Sequence, residues 1–331
     1  MRYRGVLVPR RGGPDVVEIV EHELRPPAAN EVRVKLLSSC VVQDDVAARV
    51  GNRPFLPKLP FVPGYSLIGE VDAARPDAGF AVGDRVAALT VTGAHAEYVS
   101  LPSEQLAPVP ADVDPIAAAP LVLNYLVAYQ ALHRVARVHH GDAILVIGAS
   151  GGVGTAFMQL GARAGLCVYG LASPSKHDAL RAMGARPIDY HQDWVAALRR
   201  ERPAGVDFVF NGMAEDYFES GLAALRRGGV LVHYGAPQSR RRLVWLIGKL
   251  AAYQLLPNGK SIRAYGTHRI GLAAMKADWA TLFAMLARGE LAPVIAGTYP
   301  LRAAADAYAQ LERGGVFGAL VLVGPSLSGA E

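Results

Sequence analysis

A glycine-rich turn near the middle of the chain constrains the fold more than any other feature. Residues 143–147 form an uninterrupted apolar run, typical of a buried strand, and a glycine-rich segment follows it directly. The next ten residues predict a helix, so the turn is a GxGxxG variant that begins with Ala149. Gly151 would let the backbone approach a pyrophosphate, Gly154 would let the helix pack on the strand, and the free N–H groups at the helix start favour an anion. The segment therefore predicts a dinucleotide site, although such turns also simply join strands to helices. The expected contacts come from Ser150, Gly151, Gly152, Val153 and Gly154.

The rest of the chain divides into three stretches by the period of its apolar residues. Residues 1–118 show short strands separated by Gly and Pro, such as Arg85–Leu89 and Ala96–Val99, and predict a β-rich domain. Residues 119–265 alternate strands and helices, which predicts a parallel sheet with right-handed crossovers. Residues 266–331 contain two helical patterns and a final strand, and we expect them to return and complete the first domain. The predicted fold class is α/β.

Composition limits the class of protein. The 331 residues are 51% hydrophobic, enough for two cores, and two cysteines are too few for a disulfide framework or a structural zinc cluster. The N-terminus has the pattern of a short strand rather than of a signal peptide, so we expect a cytoplasmic protein. The uncharged stretch 116–132 contains Pro120, Asn124 and Gln130, which favours a buried helix over a membrane span. The net charge of +5 indicates affinity for anions, which a phosphorylated cofactor satisfies, and the chain has no motif for binding nucleic acid.

Several short motifs occur in a fixed order along the chain. They are Glu31-Val-Arg-Val, Pro63-Gly64, Gly83-Asp84-Arg85-Val86, Gly93-Ala-His-Ala-Glu-Tyr98, Leu123-Asn124-Tyr125 and the glycine turn. With this order the chain resembles the medium-chain dehydrogenase/reductase superfamily from end to end. It is most similar to the zinc-independent quinone oxidoreductase branch, including the synaptic-vesicle-membrane-protein-like members. The resemblance implies a GroES-like catalytic domain, a Rossmann nucleotide domain and a cofactor contact from Asn124.

The positions that carry zinc in related alcohol dehydrogenases hold no zinc ligands here. Val42 stands where those enzymes have a cysteine, and Gly64-Tyr65-Ser66 stands where they have Gly-His-Glu. No cysteine lies between Cys40 and Cys167, so the four-cysteine lobe of the zinc enzymes is missing. Because zinc needs about four N, S or O ligands, we predict no metal. Cys40 is interpreted as a small core residue.

The segment after the second strand of the nucleotide domain indicates which cofactor binds. NAD-dependent enzymes usually place Asp or Glu there, and this chain has Gly170-Leu-Ala-Ser-Pro-Ser-Lys176 instead. A carboxylate would repel a 2′-phosphate, whereas Ser173 can donate a hydrogen bond to it and Lys176 can neutralise it. The family resemblance implies that Lys176 and Tyr190 contact the adenosine phosphate. We therefore predict NADPH, with a merely solvated Lys176 as the alternative.

The absence of zinc ligands also indicates the reaction. Alcohol oxidation would lack its Lewis acid, whereas a quinone or an α,β-unsaturated carbonyl moves the charge of an arriving hydride onto its own oxygen.

By the resemblance, Asp44, Tyr65 and His95 should face the nicotinamide. Each has a structural alternative: Asp44 as a carboxylate bound to backbone, Tyr65 as a space filler and His95 as a core histidine. Asn52-Arg53 stands where enoyl-thioester reductases have an acid tyrosine, and Val42 where quinone reductases have an asparagine. The proton donor therefore stays open.

A basic segment near the end of the nucleotide domain leaves other functions open. Residues 239–263 contain six basic and no acidic residues, together with Trp245 and Tyr253. Such a segment could lie on an anionic membrane surface, or form a helix that walls the substrate site or covers a subunit interface. Beside the NADPH-dependent reductase, two alternatives remain: a weakly catalytic cofactor-binding protein that regulates a partner or membrane contact, and a biosynthetic reductase or cyclase. A homodimer is expected because a sheet edge after Val230–Tyr234 would otherwise be unpaired.

Overall fold

The chain forms two compact units, each with its own sheet and apolar core. The computed structural model describes residues 1–213, 217–235, 237–255 and 259–329. Unit 1 comprises residues 1–126 and 272–331, and unit 2 comprises residues 127–271. The boundaries predicted from the sequence lie after residues 118 and 265.

Seven strands occupy the first part of unit 1. They are β1 (Arg2–Leu7), β2 (Glu18–Glu23), β3 (Glu31–Val41), β4 (Ser66–Ala73), β5 (Arg85–Leu89), β6 (Tyr98–Pro102) and β7 (Ala107–Pro108). β1 and β2 pair antiparallel, and β3 pairs antiparallel with both β4 and β6. Alternate residues Val32, Val34 and Leu36 of β3 are fully buried, as its period of two predicts. Helix α1 (Gln43–Val50) follows β3 and is capped by Gly51, whose φ of +94° is a conformation that glycine adopts without strain.

The strand predicted at Ala96–Val99 lies further along the chain, because β6 begins at Tyr98. The cause is a long-range contact. The N–H of His95 donates to the carbonyl of Pro63 at 2.9 Å, so the residues before Tyr98 form a turn against that segment. Ala96 forms only an isolated bridge. An alternating apolar pattern does not reveal such a turn.

A long apolar helical run links the two units in sequence. It consists of α2 (Pro115–Pro120), a π-helical turn (Leu121–Tyr125), α3 (Leu126–Gln130) and a second π-helical turn (Ala131–Ala136). Its length and composition would suffice to cross a membrane, and 78% of its most apolar window is buried within the structure. Burial of this degree fits the buried helix predicted for residues 116–132.

Unit 2 alternates strands and helices around one parallel sheet. Its elements are β8 (Ala143–Ile147), α4 (Gly152–Arg163), β9 (Cys167–Ala172), α5 (His177–Ala182), β10 (Arg186–Asp189), α6 (Trp194–Glu201), β11 (Val206–Asn211), α7 (Phe218–Ala224), β12 (Leu225–His233), α8 (Arg240–Leu255) and β13 (Ser261–Ala264). The strand order is β10-β9-β8-β11-β12-β13 with every neighbouring pair parallel. The direction of strand succession reverses between β8 and β11, the place where nucleotides bind in such sheets. The predicted α/β class with a Rossmann sheet is confirmed.

The sheet edge after Val230–Tyr234 is covered, so the prediction that it would be unpaired is wrong. Strand β13 lies parallel to β12, with Leu231 opposite Ile262. β13 has four residues, and Ile262 is the one that is buried, so its sequence carries no periodic signal. Within the described residues, the free edge on this side belongs to β13.

The C-terminal stretch contributes two strands to the sheet of unit 1. Its elements are α9 (Leu272–Ala287), β14 (Ile295–Pro300), α10 (Ala304–Arg313), β15 (Ala319–Val323) and α11 (Pro325–Ser328). β15 pairs antiparallel with β3, with Val321 opposite Cys40, and gives the sheet order β14-β15-β3-β4-β5-β7. Single 3₁₀ turns occur at Pro14–Val16, Ser103–Gln105, Pro174–Lys176, Thr267–Arg269 and Leu301–Ala303.

Candidate active site

The glycine turn of unit 2 leaves β8 and enters α4, which begins at Gly152. A Cβ on Gly154 would lie 2.3 Å from the carbonyl oxygen of Gly148 and 2.5 Å from the carbonyl carbon of Ala149, so helix and strand approach too closely for a side chain. A Cβ on Gly151 would meet the Gly148 oxygen at 3.7 Å, an ordinary contact. Gly154 is therefore required for packing, whereas Gly151 leaves space in front of the free N–H groups of the helix.

Lys176 lies beside this turn although it follows a different strand. Its Nζ donates a hydrogen bond to Ser150 Oγ at 3.2 Å, and partial burial lowers the pKa of Lys176. A cation partly withdrawn from water next to a helix N-terminus suits a phosphate ligand. Val153 is the second residue of the helix, so its N–H belongs to the same first turn.

Ser173 and Tyr190 leave the same end of two neighbouring strands. Ser173 follows Ala172 of β9, Tyr190 follows Asp189 of β10, and these two strand residues lie opposite each other. The hydroxyl oxygen of Ser173 is 3.3 Å from that of Ser175. Tyr190 is 40% exposed, and its ring lies against that of His191, with centroids 4.2 Å apart and the ring planes tilted by 41°. Both side chains are thus placed at the carboxyl end of the sheet, where the adenosine end of a dinucleotide lies in this fold.

Asn124 belongs to unit 1, where it is buried in the π-helical turn Leu121–Tyr125. Its contact with a cofactor stays a prediction.

Asp44 and Arg53 face each other in unit 1. The guanidinium Nη1 lies 3.6 Å from the Asp44 carboxylate and donates a long hydrogen bond of 3.4 Å to the Asp44 backbone carbonyl. The side chains are 34% and 18% exposed, so the pair is half-buried. At 3.6 Å this ion pair is wider than a hydrogen-bonded one, so the guanidinium of Arg53 keeps N–H donors for a further acceptor.

Asp45 is the buried carboxyl of this region, and the sequence pattern did not single it out. Its carboxylate accepts the N–H groups of Val42 at 3.1 Å and of Gly64 at 3.0 Å. Burial raises the pKa of Asp45 to about 7, the Asp44 charge adds to this, and the two backbone hydrogen bonds and Arg53 oppose it. The three-residue spacing from Val42 is that of a helix-capping carboxylate, which was the available signal.

Tyr65 lies in the field of the Asp44–Arg53 pair. It is 6% exposed, and burial raises its pKa, with Asp44 adding to the increase and Arg53 opposing it. The phenol therefore stays protonated at neutral pH and can donate a hydrogen bond. Its backbone carbonyl accepts the N–H groups of Thr90 and Val91. Val91 has a φ of +66°, a strained value for a β-branched residue, so the turn against Tyr65 is held by its surroundings.

His95 lies in the core of unit 1, which favours the structural alternative over the predicted catalytic role. It is fully buried, and its Nδ1 is 2.8 Å from the hydroxyl of Tyr308 in α10. Burial lowers the pKa of His95 to about 4, and the backbone of Cys40 opposes this. The ring is therefore neutral at pH 7 and has no imidazolium proton to give to a substrate there. Cys40 is 1% exposed, and burial raises the pKa of its thiol, as fits a small core residue.

The two segments that carry zinc ligands in related enzymes lie side by side in this chain, because the N–H groups of Val42 and Gly64 both donate to the Asp45 carboxylate. The side chains they present are those of Val42 and Tyr65, which are not zinc ligands of the usual kind. Throughout the described residues, no three His, Cys, Asp or Glu side chains are grouped so that they could hold a metal ion.

Comparisons with known proteins agree with this architecture. Residues 28–111 match the alcohol dehydrogenase GroES-like domain, and residues 183–322 match the zinc-binding dehydrogenase family. The human synaptic vesicle membrane protein VAT-1 homolog is 32% identical over 330 residues, which cover 94% of this chain and 84% of that protein. Human quinone oxidoreductase is 27% identical over 97% of each chain. A mycobacterial protein solved as a complex with NADPH has a TM-score of 0.84 and 28% identity over 97% of this chain and 99% of its own. The chain therefore belongs to the medium-chain dehydrogenase/reductase family of oxidoreductases, in the branch of the quinone oxidoreductases and VAT-1 homologs.

Proposed function

We propose that this protein is an NADPH-dependent reductase of quinones or α,β-unsaturated carbonyls that works without zinc. The observation that carries the proposal is the position of Lys176, half-buried and hydrogen-bonded to Ser150 of the glycine turn. No acidic residue stands at the equivalent of the ribose-binding position, from Gly170 to Lys176. This combination favours a 2′-phosphate over a free 2′-hydroxyl.

The residues of unit 2 fit the parts of such a cofactor. The first-turn N–H groups of Gly152 and Val153 face the space that Gly151 leaves open and would hold the pyrophosphate. Ser173, Lys176 and Tyr190 would hold the adenosine phosphate. A bound reduced nicotinamide supplies a hydride.

The residues of unit 1 suit an acceptor that carries its own electron sink. Val42 and Tyr65 replace zinc ligands, so the chain presents no Lewis acid to activate an alcohol. Tyr65 remains a neutral donor that can hydrogen-bond to a carbonyl oxygen. The carboxylate of Asp45 is occupied by two backbone N–H groups, so it holds the site together rather than meeting substrate.

The test is a set of initial-rate assays in which NADPH or NADH is oxidised by benzoquinones, naphthoquinones and cyclic enones. We expect turnover with NADPH, a preference over NADH, and no loss of rate after treatment with a chelator. Tight NADPH binding without oxidation by any acceptor would instead favour the regulatory protein or a biosynthetic enzyme. Stoichiometric zinc in the purified protein would contradict the metal-free site.

One observation favours membrane association as a second candidate. The outward face of α8 exposes Val244 by 69% and Ile247 by 57%, while Leu246 on its other face is buried. The segment 239–263 carries six basic and no acidic residues, which suits an anionic surface. Relatives of this chain are named synaptic vesicle membrane proteins. Sedimentation with vesicles of phosphatidylcholine with or without phosphatidylserine tests this, with Val82→Ser as a control for Val244→Ser. Binding that needs phosphatidylserine and is weakened in the α8 variant alone would support it, and equal binding by both variants would not.

We also propose a homodimer. Within the described part of unit 2, β13 presents the free edge of the sheet on the side of β12, and a second copy could pair with it. Light scattering after size exclusion measures the mass of the particle. A monomer at micromolar concentration would contradict the proposal.

A further inference from the structure

The Arg53 guanidinium is largely buried but makes few close polar contacts. Among the described residues, the polar groups it meets are the Asp44 carboxylate at 3.6 Å and the Asp44 carbonyl at 3.4 Å. Arg25, by contrast, binds Glu31 with two hydrogen bonds of 2.6 and 3.0 Å. A guanidinium has five N–H donors in a planar fork. Arg53 therefore retains donors for a further acceptor while its side chain is 82% covered, with 18% exposed.

Arg53 is also not what holds its own loop in place. The loop after α1 is fixed by Arg11, which donates to the carbonyls of Ala48 and Pro57. The helix itself is fixed by Arg49, which pairs with Glu312 of α10 at 2.6 Å. Replacement of Arg53 should therefore leave the backbone of the loop unchanged.

We propose that the Arg53 guanidinium binds the oxygen of the acceptor, the atom on which negative charge develops. The Asp44 backbone carbonyl positions the guanidinium, and Tyr65 lies in the same electrostatic neighbourhood as a neutral donor. The inference rests on the proposed function and names the residue that would stabilise negative charge on the acceptor. In this chain, valine and tyrosine occupy the positions that carry zinc ligands in related enzymes. The chemical class of ligand is an enolate or phenolate oxyanion attached to a planar conjugated group.

The charge balance of the reaction explains why such a group is needed. When an enone takes up a hydride at its β-carbon, the C=C π pair shifts to form a double bond between the α-carbon and the carbonyl carbon. The C=O π pair then moves to the oxygen, so the product is an enolate with its negative charge on that oxygen. A fixed guanidinium stabilises that oxygen with charge-assisted hydrogen bonds. A proton from water then adds at the α-carbon and the carbonyl re-forms, so the acceptor gains one hydride and one proton. Arginine does not lose its proton at neutral pH, so Arg53 stabilises charge and does not serve as the acid.

The test measures binding of an oxyanion without turnover. 4-Nitrophenol is colourless as the phenol and yellow as the phenolate, so absorbance reports how much of the bound ligand is ionised. It is titrated into the full-length protein with and without NADP⁺, next to the uncharged analogue 4-nitroanisole. The variants are Arg53→Gln and Asp44→Asn. Arg75 and Asp77 form an exposed pair of similar separation, 3.5 Å, so Arg75→Gln and Asp77→Asn are matched controls.

We expect the two variants to change phenolate affinity in opposite directions. Arg53→Gln should weaken phenolate binding about tenfold and leave nitroanisole binding nearly unchanged. Asp44→Asn removes a competing charge and keeps the backbone carbonyl that positions Arg53, so it should strengthen phenolate binding severalfold. The control variants should match the wild type. A lost structural contact would not produce a gain in one variant and a loss in the other.

The outcomes separate this inference from the proposed function. Phenolate binding that depends on Arg53 in a protein that reduces no acceptor would keep the oxyanion site and refute the reductase. Turnover that is unchanged by Arg53→Gln, with unchanged phenolate affinity, would refute the inference and keep the reductase. The inference also fails if the wild type binds no phenolate, or if phenolate and nitroanisole lose affinity equally.

Discussion

Replacing each of two glycines by alanine should separate packing from cofactor binding in the turn after β8. The Cβ of Gly154→Ala would lie 2.3 Å from the Gly148 oxygen and 2.5 Å from the carbonyl carbon and oxygen of Ala149. All of these are backbone atoms, so no side chain can rotate away. Gly151 has a φ of −76°, which alanine adopts freely, and its added methyl group would meet the Gly148 oxygen at 3.7 Å.

The distances set the size of the effect. To restore normal contacts at Gly154→Ala, α4 must move away from β8 by about 1 Å, and overpacking of this kind costs roughly 1–3 kcal/mol of the free energy of unfolding. At about 3 °C for each kcal/mol, the melting temperature should fall by roughly 3–9 °C. Gly151→Ala should melt at the wild-type temperature or slightly above it, because alanine lowers the entropy of the unfolded chain.

Gly151→Ala should weaken cofactor binding although it leaves the protein stable. The methyl group of Gly151→Ala stands in front of the helix N-terminus, so we expect NADPH to bind about tenfold more weakly to a fully folded protein. Thermal unfolding by circular dichroism and NADPH fluorescence titration measure the two effects. If Gly154→Ala were as stable as Gly151→Ala, the close packing of helix on strand would be refuted. Unchanged NADPH affinity in Gly151→Ala would place the pyrophosphate elsewhere.

Three further predictions concern charge. Lys176→Ala should raise the dissociation constant for NADPH about tenfold and change that for NADH less than twofold, with Lys58→Ala as an exposed control; equal losses for both cofactors would exclude a 2′-phosphate contact. The raised pKa of Asp45 means that its contribution to stability is full below its ordinary pKa of 3.8 and is lost as the pH rises through about 7. Urea denaturation should therefore show that the free energy of unfolding of Asp45→Asn rises relative to that of the wild type between pH 4 and 8, by up to about 4 kcal/mol. A difference between the two proteins that does not change with pH would contradict the buried carboxyl. The lowered pKa of His95 acts the other way, so its contribution is present above pH 6.5 and is lost as the pH falls through about 4. On acidification from pH 7 to 4, the free energy of unfolding of His95→Gln should therefore fall by up to about 3 kcal/mol less than that of the wild type. Equal falls in both proteins would show that His95 is protonated in the folded state.

The elements predicted best are those whose structure follows from the local pattern of apolar residues alone. β8 (Ala143–Ile147) matches the strand predicted for residues 143–147, because a buried strand is a continuous apolar run. Helix α1 has a mixed pattern and depends on the contact of Asp45 with Gly64, nineteen positions away. Strand β14 contains Gly297 and is only partly buried, so its pairing with β15 is what defines it. Long-range contacts of this kind leave no local signal.

The same distinction applies to the site. The sequence predicts the glycine turn at a strand end and helix start of a parallel sheet, and the structure has Lys176 beside that turn. That these residues contact a phosphate stays a prediction. Burial was not predictable in the same way. His95 and Tyr65 both stand in motifs that predict a ligand contact, yet both are buried, and His95 is hydrogen-bonded with Tyr308 of α10. A residue's position in a motif does not determine whether its side chain faces a ligand or the core.

Asp44 and Asp45 are adjacent in α1 and have identical side chains, but their burial and their partners differ. Successive residues of a helix point about 100° apart, so only one of the pair can face the core at the start of α1. Asp45 does so, accepts two backbone N–H groups, and has its pKa raised to about 7 by burial. Asp44 stays half-exposed and pairs with Arg53 at 3.6 Å. The Asp45 carboxyl, whose oxygens accept backbone N–H groups, is suited to hold strand β3 and the Gly64 turn together. The 3.6 Å separation between Asp44 and Arg53 leaves the arginine able to bind an incoming oxyanion. Substitution of Asp45 should therefore act mainly on stability, and substitution of Asp44 mainly on ligand binding.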